Sequence, residues 1–325
     1  MYNVFVTRKI PDEGIKLLER YAKVNVNPYD RPLTKEEIIK GIRDKDGLLC
    51  LLNDHIDREV ITAGSKLRVI ANYAVGYNNI DVNFATRQGI MVTNTPDVLT
   101  DTTAEMAWAL LFAVARRIVE GDRFTREGRF TGWAPMLMLG LDVTGKTLGV
   151  IGAGRIGSAF ALKSKGFNMR VLYTDQNINS LLENELKAER VDLMTLLRES
   201  DYISIHVPLM DTTYHLIGEK ELRSMKKNAV LVNTSRGPVL DEQALIRALK
   251  ERWITGAGLD VYEHEPFVPD ELKNLDNVVL MPHAASATYE TRRRMAVMAA
   301  ENLIAGLRGV FPPNCVNPEV YTKKI

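Results

Sequence analysis

The feature that most constrains this chain is the stretch GVIGAGRIG at residues 149–157. An apolar run leads into Gly152, Gly154 and Gly157, and a helical pattern follows from Arg155. The G-x-G-x-x-G spacing alone is a weak signal, because glycine is common in turns. Here Gly152 would allow a tight turn after a strand, Gly154 would let the backbone approach a pyrophosphate, and Gly157 would let helix and strand pack closely. The stretch therefore predicts a dinucleotide-binding turn, with phosphates at the helix N-terminus.

Strand-like and helical runs alternate on both sides of this turn. In the first hundred residues the strands are NVFVT, GLLCLL, RVIANYA and IMVTNT, and helices are indicated at PDEGIKLLERYA, TKEEIIKGI, DREVITAG and DVNFATRQG. From residue 146 the strands are TLGVIG, MRVLYT, DYISIHV, AVLVNTS, GAGLDV and NVVLMP, with helices at 155–166, DLMTLLRES, EKELRSM and DEQALIRALKE. This alternation predicts an α/β fold of two Rossmann-like parallel-sheet domains, one flavodoxin-like and one dinucleotide-binding, with a cleft between them.

Two further helical patterns set the domain boundaries. TDTTAEMAWALLFAVARRIVEGDRF reads as one long helix with a capping box of Thr102 and Glu105. It is apolar on nearly every side, so we expect it to be buried all round, as a linker helix or at a subunit interface. The last helix, TYETRRRMAVMAAENLIAGLRG, follows a completed sheet, so we infer that it packs back on the first domain. The predicted domains are 1–100 plus 288–325, and 101–287.

Composition excludes several classes of function. The 325 residues are too many for one ordinary core, and the net charge of +1 gives no reason to expect a nucleic-acid or membrane-surface partner. No uncharged apolar run approaches the roughly 20 residues needed to span a bilayer. Cys50 and Cys315 are too few for a disulfide framework, and the N-terminus lacks a signal-peptide pattern. We expect a cytoplasmic protein without a bound metal.

An acidic residue follows the glycine turn at the end of the next strand, in RVLYTDQNIN. There Asp175 can accept hydrogen bonds from ribose hydroxyls, and its charge would repel a 2′-phosphate. The segment QNINS has no Arg or Lys to bind such a phosphate. The pattern favours NAD over NADP. The plainer alternative is a structural glycine turn beside a solvated acid.

Three polar residues follow the ends of predicted strands, where ligands bind in open α/β sheets. Singly, Arg236 reads as a solvated charge, Glu265 as a turn residue and His283 as a structural histidine. Together, beside a nucleotide turn, they fit hydride transfer to a carbonyl. Arg236 would hold a substrate carboxylate through two hydrogen bonds. His283 would donate a proton to the carbonyl oxygen. Glu265 would orient the ring of His283 and favour its protonated form.

Two other histidines, His264 and His206, compete with His283 as the proton donor. His264 adjoins Glu265, but neighbouring residues outside helices usually point apart. His206 ends a predicted strand, whereas His55 and His215 stand among polar residues and read as surface. The small residues of HAASA leave room for a substrate and a nicotinamide, which favours His283.

The chain resembles the D-isomer-specific 2-hydroxyacid dehydrogenase family. The second half carries GKTLGVIGAGRIG, VNTSRGPVLDEQAL, GLDVYEHEP and MPHAASAT, and the first half carries VIANYAVGYNNIDV and VTNTPDVLTDTTAEMA. The resemblance implies the roles given above for Arg236, Glu265 and His283. It also implies that the backbone N–H groups of Val75 and Gly76 bind the substrate carboxylate, as the small-residue turn AVGYNN allows.

The same resemblance implies an NAD-binding domain at 101–287, a substrate-binding domain in the remainder, and a set of cofactor contacts. Beyond the glycines and Asp175, these contacts are Thr103, Arg155, Ile156, His206, Val207, Pro208, Thr213, Thr234, Ser235 and Asp260. Asp260 would hydrogen-bond the nicotinamide carboxamide.

The segment GRFTGWAPMLMLGLDVTGKTLGVIG resembles the glyoxylate/hydroxypyruvate reductase branch, particularly at Trp133 and Pro135. In that family the segment lies at a dimer interface, so we expect a homodimer through 101–145, with Trp133 reaching towards the neighbouring active site. Phosphoglycerate dehydrogenase or D-lactate-type activity, and a non-enzymatic NAD sensor on the same fold, remain alternatives. The residues that select among small 2-oxo acids are expected near Leu51, Leu52 and Tyr73.

Overall fold

The computed structural model describes residues 1–322, which divide into two compact units. Unit 1 comprises Met1–Leu99 and the segment that begins at Ala287, and unit 2 comprises Thr100–Ser286. Each unit is built on a parallel β-sheet with helices in the connections. The predicted α/β class with two parallel sheets is confirmed.

The strands of the described chain are β1 Tyr2–Val6, β2 Ala22–Val26, β3 Gly47–Cys50, β4 Val69–Asn72, β5 Met91–Thr93, β6 Thr147–Ile151, β7 Arg170–Thr174, β8 Glu189–Arg190, β9 Tyr202–Ile205, β10 Val230–Asn233, β11 Gly256–Leu259 and β12 Val278–Leu280. The helices are α1 Asp12–Glu19, α2 Lys35–Ile42, α3 Arg58–Ala63, α4 Val82–Arg87, α5 Thr100–Ala115, α6 Ile118–Arg126, α7 Arg155–Lys163, α8 Ser180–Leu186, α9 Leu193–Glu199, α10 Glu219–Ser224, α11 Glu242–Lys250, α12 Asp270–Lys273, α13 Tyr289–Leu307 and α14 Glu319–Thr322. None of these helices is long and apolar enough to cross a membrane.

The sheet of unit 1 has the strand order β2-β1-β3-β4-β5, which is the flavodoxin-like order. The edge strand β2 was not predicted. Its sequence AKVNV places Lys23 and Asn25 at exposed positions, so it lacks the continuous apolar run of the central strands. The four residues of β3 are all buried, as are those of β4. Edge strands of this kind leave a weak sequence signal because only one face is covered.

Helix α13 belongs to unit 1 and packs against α1, β3 and β4. The contact with α1 is so close that a Cβ added to Gly14 would lie 2.6 Å from the Ala296 carbonyl oxygen. On the sheet side, Gly306 lies against the Val69 side chain and Leu303 lies over Gly47. Helix α13 thereby covers one face of a sheet whose strands all come from the first hundred residues.

The sheet of unit 2 has the order β12-β11-β10-β9-β6-β7-β8. The strand order reverses at β6, since β7 and β8 are added on one side of it and β9 to β12 on the other. The carboxyl ends of β6 and its neighbours therefore form a topological switch point. Apolar side chains cover both faces, in two clusters that contain Ile203 and Val150 respectively. The short outer strand β8 was not predicted, because its two residues are both exposed.

The long apolar segment after residue 100 forms two helices, so the prediction of one continuous helix was wrong. Helix α5 ends at Ala115, and Arg117 has the left-handed φ of 53° before α6 begins. The guanidinium of Arg117 donates to both carboxylate oxygens of Glu120 at 2.8 and 2.6 Å. The capping box was also wrong, because α5 starts at Thr100 and Thr102 lies inside its first turn.

Helix α5 packs over β10 and β11 within unit 2. A Cβ on Gly258 would lie 2.9 Å from the Leu110 Cβ, and the Trp108 indole donates to the Phe160 carbonyl at 2.9 Å. Ala109 is exposed, so the helix is largely buried but not on every side. Its apolar character is explained by this packing on the sheet of its own unit.

Candidate active site

The glycine turn joins β6 to α7 at the switch point of the unit 2 sheet. Gly152 has φ of 92°, a left-handed conformation that side-chain-bearing residues rarely adopt. A Cβ on Gly157 would lie 1.9 Å from the Gly152 carbonyl oxygen, so only glycine allows this approach of helix to strand. Gly154 differs, since a Cβ there would meet nothing within 4 Å. The surface beside Gly154 is thus open to a ligand at the N-terminus of α7, where free N–H groups favour phosphate.

Asp175 stands beside this turn, directly after β7. Its Oδ2 accepts a hydrogen bond from the Ala153 N–H at 2.8 Å, and its Oδ1 accepts one from the Asn177 N–H at 3.1 Å. These two bonds fix the carboxylate at the glycine turn. The geometry fits the predicted role of Asp175 towards the ribose of a dinucleotide.

An arginine that the sequence argument missed lies on the other side of this loop. Arg190, in β8, donates from Nη2 to the carbonyl oxygens of Asp175 and Gln176, each at 2.8 Å. The residues just after Asp175, QNINS, contain no Arg or Lys. Pairing of β8 with β7 brings Arg190 there from further along the chain.

Arg236, Glu265 and His283 follow three neighbouring strands of this sheet, β10, β11 and β12. The closest contact among them joins His283 Nδ1 to Glu265 Oε2 at 2.7 Å. Both side chains remain accessible, with exposed fractions of 25% and 30%. A carboxylate on Nδ1 leaves Nε2 as the nitrogen that faces away from the pair, where it can exchange a proton with a ligand.

The electrostatics of Glu265 follow from its partners. Burial alone would raise the pKa of Glu265, but the hydrogen bond from His283 and the charges of His283 and Arg236 outweigh burial and lower it. Burial lowers the pKa of the Arg236 guanidinium, and the negative charge of Glu265 opposes that effect. Since arginine remains protonated throughout the physiological range, the site keeps a cation and an ionised carboxylate side by side.

Asp260 fixes the backbone next to the histidine. Its Oδ1 accepts from the Ala284 N–H at 2.7 Å and its Oδ2 accepts from the Ala285 N–H at 2.8 Å. Asp260 is fully buried, and burial raises its pKa against the opposing effect of these two N–H groups. His283 has the left-handed φ of 53°, so these bonds hold a strained loop in place. The sequence predicted only a cofactor contact for Asp260. Its hydrogen bonds to the loop after His283 were not predicted.

The other histidines are placed differently from His283. Removal from water lowers the pKa of His206 to about 3, and its Nε2 lies 2.9 Å from the Ser204 hydroxyl, so it stays neutral near pH 7. His55 and His264 are exposed. The prediction that His215 lies on the surface was wrong, because it is half-buried and its Nε2 lies 2.8 Å from Glu263 Oε1.

The remaining predicted cofactor residues lie in unit 2 around the same strand ends. Val207 packs on Gly152, which explains the need for glycine there, and Pro208 is followed by a turn that Thr213 closes by donating to the Pro208 carbonyl at 2.7 Å. Ser235 donates from its N–H and its hydroxyl to Asn233 Oδ1. Thr103 is buried in α5, Arg155 and Ile156 open α7, and the buried hydroxyl of Thr234 has no hydrogen-bond partner within residues 1–322. Of these positions, the open surface at Gly154 fits a dinucleotide most directly.

The predicted substrate residues of unit 1, Val75 and Gly76, lie half-buried in the turn after β4. Leu51 and Leu52 are also half-buried, in the turn after β3. Tyr73 is buried, and its hydroxyl donates to the Arg292 carbonyl of α13 at 2.7 Å. Among the three proposed specificity positions, Tyr73 is thus engaged in packing its own unit, whereas the two leucines stay accessible.

Comparison with known proteins gives consistent matches. Residues 108–285 match the family described as D-isomer specific 2-hydroxyacid dehydrogenase, NAD binding domain. A glyoxylate reductase from Korarchaeum cryptofilum is 57% identical over 319 residues, which are 98% of this chain and 96% of that protein. A Thermus thermophilus protein of solved structure has a TM-score of 0.90 at 42% identity, covering 97% of this chain and 99% of that one. An NADPH-dependent glyoxylate/hydroxypyruvate reductase from Sinorhizobium meliloti, solved with NADP and malonate, has a TM-score of 0.86 at 31% identity, covering 97% and 96%.

Fold, strand-end residues and relatives together define an oxidoreductase that acts on a CH–OH group. The chain belongs to the D-isomer specific 2-hydroxyacid dehydrogenase family, within its glyoxylate reductase branch. The family predicted from the sequence motifs is confirmed.

Proposed function

We propose that this enzyme reduces a small 2-oxo acid, such as glyoxylate or hydroxypyruvate, to the D-2-hydroxy acid, with NADH as the hydride donor. The observation that carries the proposal is the 2.7 Å contact of His283, after β12, with Glu265, after β11. Arg236 follows β10, which adjoins β11 in the sheet. Relatives named glyoxylate reductase support the substrate class.

Arg236, His283 and Glu265 each have a separate role in the proposed carbonyl reduction. When bound, the nicotinamide supplies a hydride to the carbonyl carbon. Arg236 offers two parallel N–H donors to the substrate carboxylate, and this bidentate contact orients the carbonyl. His283 donates the Nε2 proton to the carbonyl oxygen as negative charge develops there. Glu265 accepts from Nδ1 of His283, which fixes the ring and leaves Nε2 for the carbonyl oxygen.

The proposed preference for NADH rests on Asp175. Its carboxylate is fixed beside the glycine turn by the Ala153 N–H, where it would repel the 2′-phosphate of NADPH. Arg190 opposes this effect, because it lies at the same loop and its positive charge would attract a 2′-phosphate. The relative from Sinorhizobium meliloti is NADPH-dependent, so both cofactors must be compared directly.

We also propose that the enzyme acts as a homodimer through exposed apolar residues of unit 2. Helix α6 has no buried residue. The segment after it exposes Phe130, Trp133, Met136 and Leu139, and Trp133 is 83% exposed. Apolar side chains exposed along one continuous segment are typical of an interface with another subunit. A second copy of the chain is the occupant that fits the family resemblance.

The experiment that tests the activity is a substrate panel followed by absorbance of the reduced nicotinamide. Glyoxylate, hydroxypyruvate, phosphohydroxypyruvate and pyruvate are each offered with NADH and with NADPH. We expect turnover of glyoxylate or hydroxypyruvate, with kcat/KM higher for NADH. Tight NADH binding without turnover of any of the four acids would instead favour a sensor on this fold.

A further inference from the structure

In the turn after β4 of unit 1, three successive backbone carbonyls each accept a hydrogen bond from a different donor. The Ala74 carbonyl accepts from the Thr95 N–H at 2.8 Å. The Val75 carbonyl accepts from Asn94 Nδ2 at 2.8 Å, and the Gly76 carbonyl accepts from Asn72 Nδ2 at 2.8 Å. Two of these three donors are side-chain amides of buried asparagines that follow or end neighbouring strands.

Holding a carbonyl also sets the direction of the N–H in the same peptide unit. A trans peptide is planar, and its C=O and N–H point in opposite directions. Anchoring the Ala74 and Val75 oxygens therefore turns the N–H groups of Val75 and Gly76 away from the anchors. Neither N–H takes part in the backbone hydrogen bonds of the described chain, and both residues are half-buried, so the two donors are available to a ligand.

The anchoring amides are themselves held by a buried network. Asn72 Nδ2 donates to Asn79 Oδ1 at 3.2 Å, and Asn79 Nδ2 donates to Asn72 Oδ1 at 3.4 Å. Asn79 Nδ2 also donates to the carbonyls of Leu51 and Asp54 at 3.1 Å. The Asp54 carboxylate in turn accepts from the Leu51 N–H at 2.7 Å and from the Thr7 hydroxyl. The turns after β3 and β4 are thus joined through side chains, and a rigid network of this kind can preorganise donors for a ligand.

We propose that Asn94 and Asn72 are positioning residues for the substrate carboxylate. Asn94 orients the Gly76 N–H directly through the shared peptide unit. Asn72 holds the Gly76 carbonyl, which fixes the next peptide and keeps the turn from rotating. The inference rests on the proposed function, since it assigns the carboxylate of the 2-oxo acid to the Val75 and Gly76 donors. Asparagine suits both positions, because its neutral amide donates hydrogen bonds and can be buried without the cost of burying a charge.

The test replaces each anchor by a residue of similar size that cannot donate. In Asn94→Leu and Asn72→Leu we expect KM for the 2-oxo acid to rise about tenfold, the order expected when hydrogen bonds to a charged group are weakened. Because the cofactor residues lie in unit 2, the Kd of NADH, measured by fluorescence, should stay within about twofold of the wild-type value. If either Leu variant fails to fold, the corresponding Ser variant is used, whose side chain is too short to reach the carbonyl.

Asn317→Leu is the matched control. Asn317 is buried in the same unit, and its side chain makes four hydrogen bonds. It donates to Thr86 and to the Ile90 carbonyl and accepts from the Val92 N–H and the Cys315 thiol, and none of these partners lies in the turn after β4. It should lower the thermal midpoint and leave KM unchanged. A general loss of stability would raise KM in the control as well, which would overturn the positioning role. Unchanged KM in both anchor variants would overturn it too.

A second readout separates this inference from the proposed activity. Wild-type enzyme that reduces no 2-oxo acid would refute the proposed function alone. The positioning role is then read by amide NMR during titration with oxamate, a carboxylate that cannot be reduced. We expect shifts at the Val75 and Gly76 amides in the wild type and weaker oxamate binding in Asn94→Leu. No shift at these amides, or equal binding in the variant, would refute the positioning role.

Discussion

Glu265 Oε2 accepts from His283 Nδ1 at 2.7 Å, although the two residues stand 18 positions apart in the chain. Asp260, before Glu265, holds the two residues after His283 by their N–H groups. The proposed proton donor and its carboxylate are therefore positioned from the same loop after β11. These contacts fix both the ring of His283 and the backbone that follows it.

Replacing the proposed donor should remove most of the catalysis and little of the binding. For His283→Asn we expect kcat to fall roughly 10²- to 10⁴-fold, the usual contribution of general acid–base catalysis. The Kd of NADH should change little, since the glycine turn and Asp175 are untouched. Stopped-flow absorbance and fluorescence titration measure the two quantities. The exposed His55 provides the control, and His55→Asn should keep full activity.

The lowered pKa of Glu265 predicts a pH-dependent contribution to stability. In the folded protein Glu265 releases its proton at lower pH than in the unfolded chain, so stabilisation is fully present above the unfolded pKa, near 4.3. It should be lost as pH falls through the lower folded-state pKa. Glu265→Gln removes the titrating group, so the difference in unfolding free energy between wild type and variant should shrink with acidification in that window. Urea unfolding at a series of pH values measures it, and a difference that grows on acidification would contradict the assignment.

Charge at residue 175 should control the choice of cofactor. Like charges brought together cost several kcal/mol, so removing the carboxylate in Asp175→Ala should raise kcat/KM for NADPH relative to NADH roughly 10- to 100-fold. Arg190 would then be the nearest cation described at that loop, and Asp175→Ala/Arg190→Ala should lose part of the gain. Initial rates with both cofactors give the ratio. A ratio that Asp175→Ala leaves unchanged would show that another feature sets the preference.

The exposed segment of unit 2 gives a prediction about assembly. A buried negative charge without a partner is strongly unfavourable, so Trp133→Asp should convert a dimer into a monomer. Size-exclusion chromatography with light scattering reads the mass directly. Tyr289 is an exposed aromatic residue in unit 1, with 95% of its surface accessible, and Tyr289→Asp should leave the mass unchanged. A wild-type protein that is already monomeric would refute the proposed interface.

Much of the fold follows from local sequence pattern. The central strands are continuous apolar runs closed by glycine or polar residues, and in parallel sheets such runs mark strands buried on both faces. The outer strands β2 and β8 were not predicted. Only one face of β2 is covered, and both residues of β8 are exposed. The break at Arg117 was not predicted, because this residue adopts a left-handed φ although it is not glycine, the usual sequence signal for that conformation.

The candidate site was predictable to the extent that topology alone brings strand ends together. Arg236, Glu265 and His283 each follow a strand, and the strand order makes them neighbours. Contacts between a side chain and a distant backbone group leave no comparable pattern. The amide of Asn94 on the Val75 carbonyl, and Arg190 on the loop of Asp175, depend on pairings between separate segments and became visible only in the structure.

The two-segment composition of unit 1 has a consequence for biosynthesis. Strands β3 and β4 are synthesised before unit 2, whereas helix α13, which covers them through Leu303 and Gly306, is synthesised after it. Unit 2 is continuous in sequence, so its sheet can close while the first unit still exposes an apolar face. We therefore expect β3 and β4 to gain protection from proteases and chaperones later than the sheet of unit 2, although they are synthesised earlier.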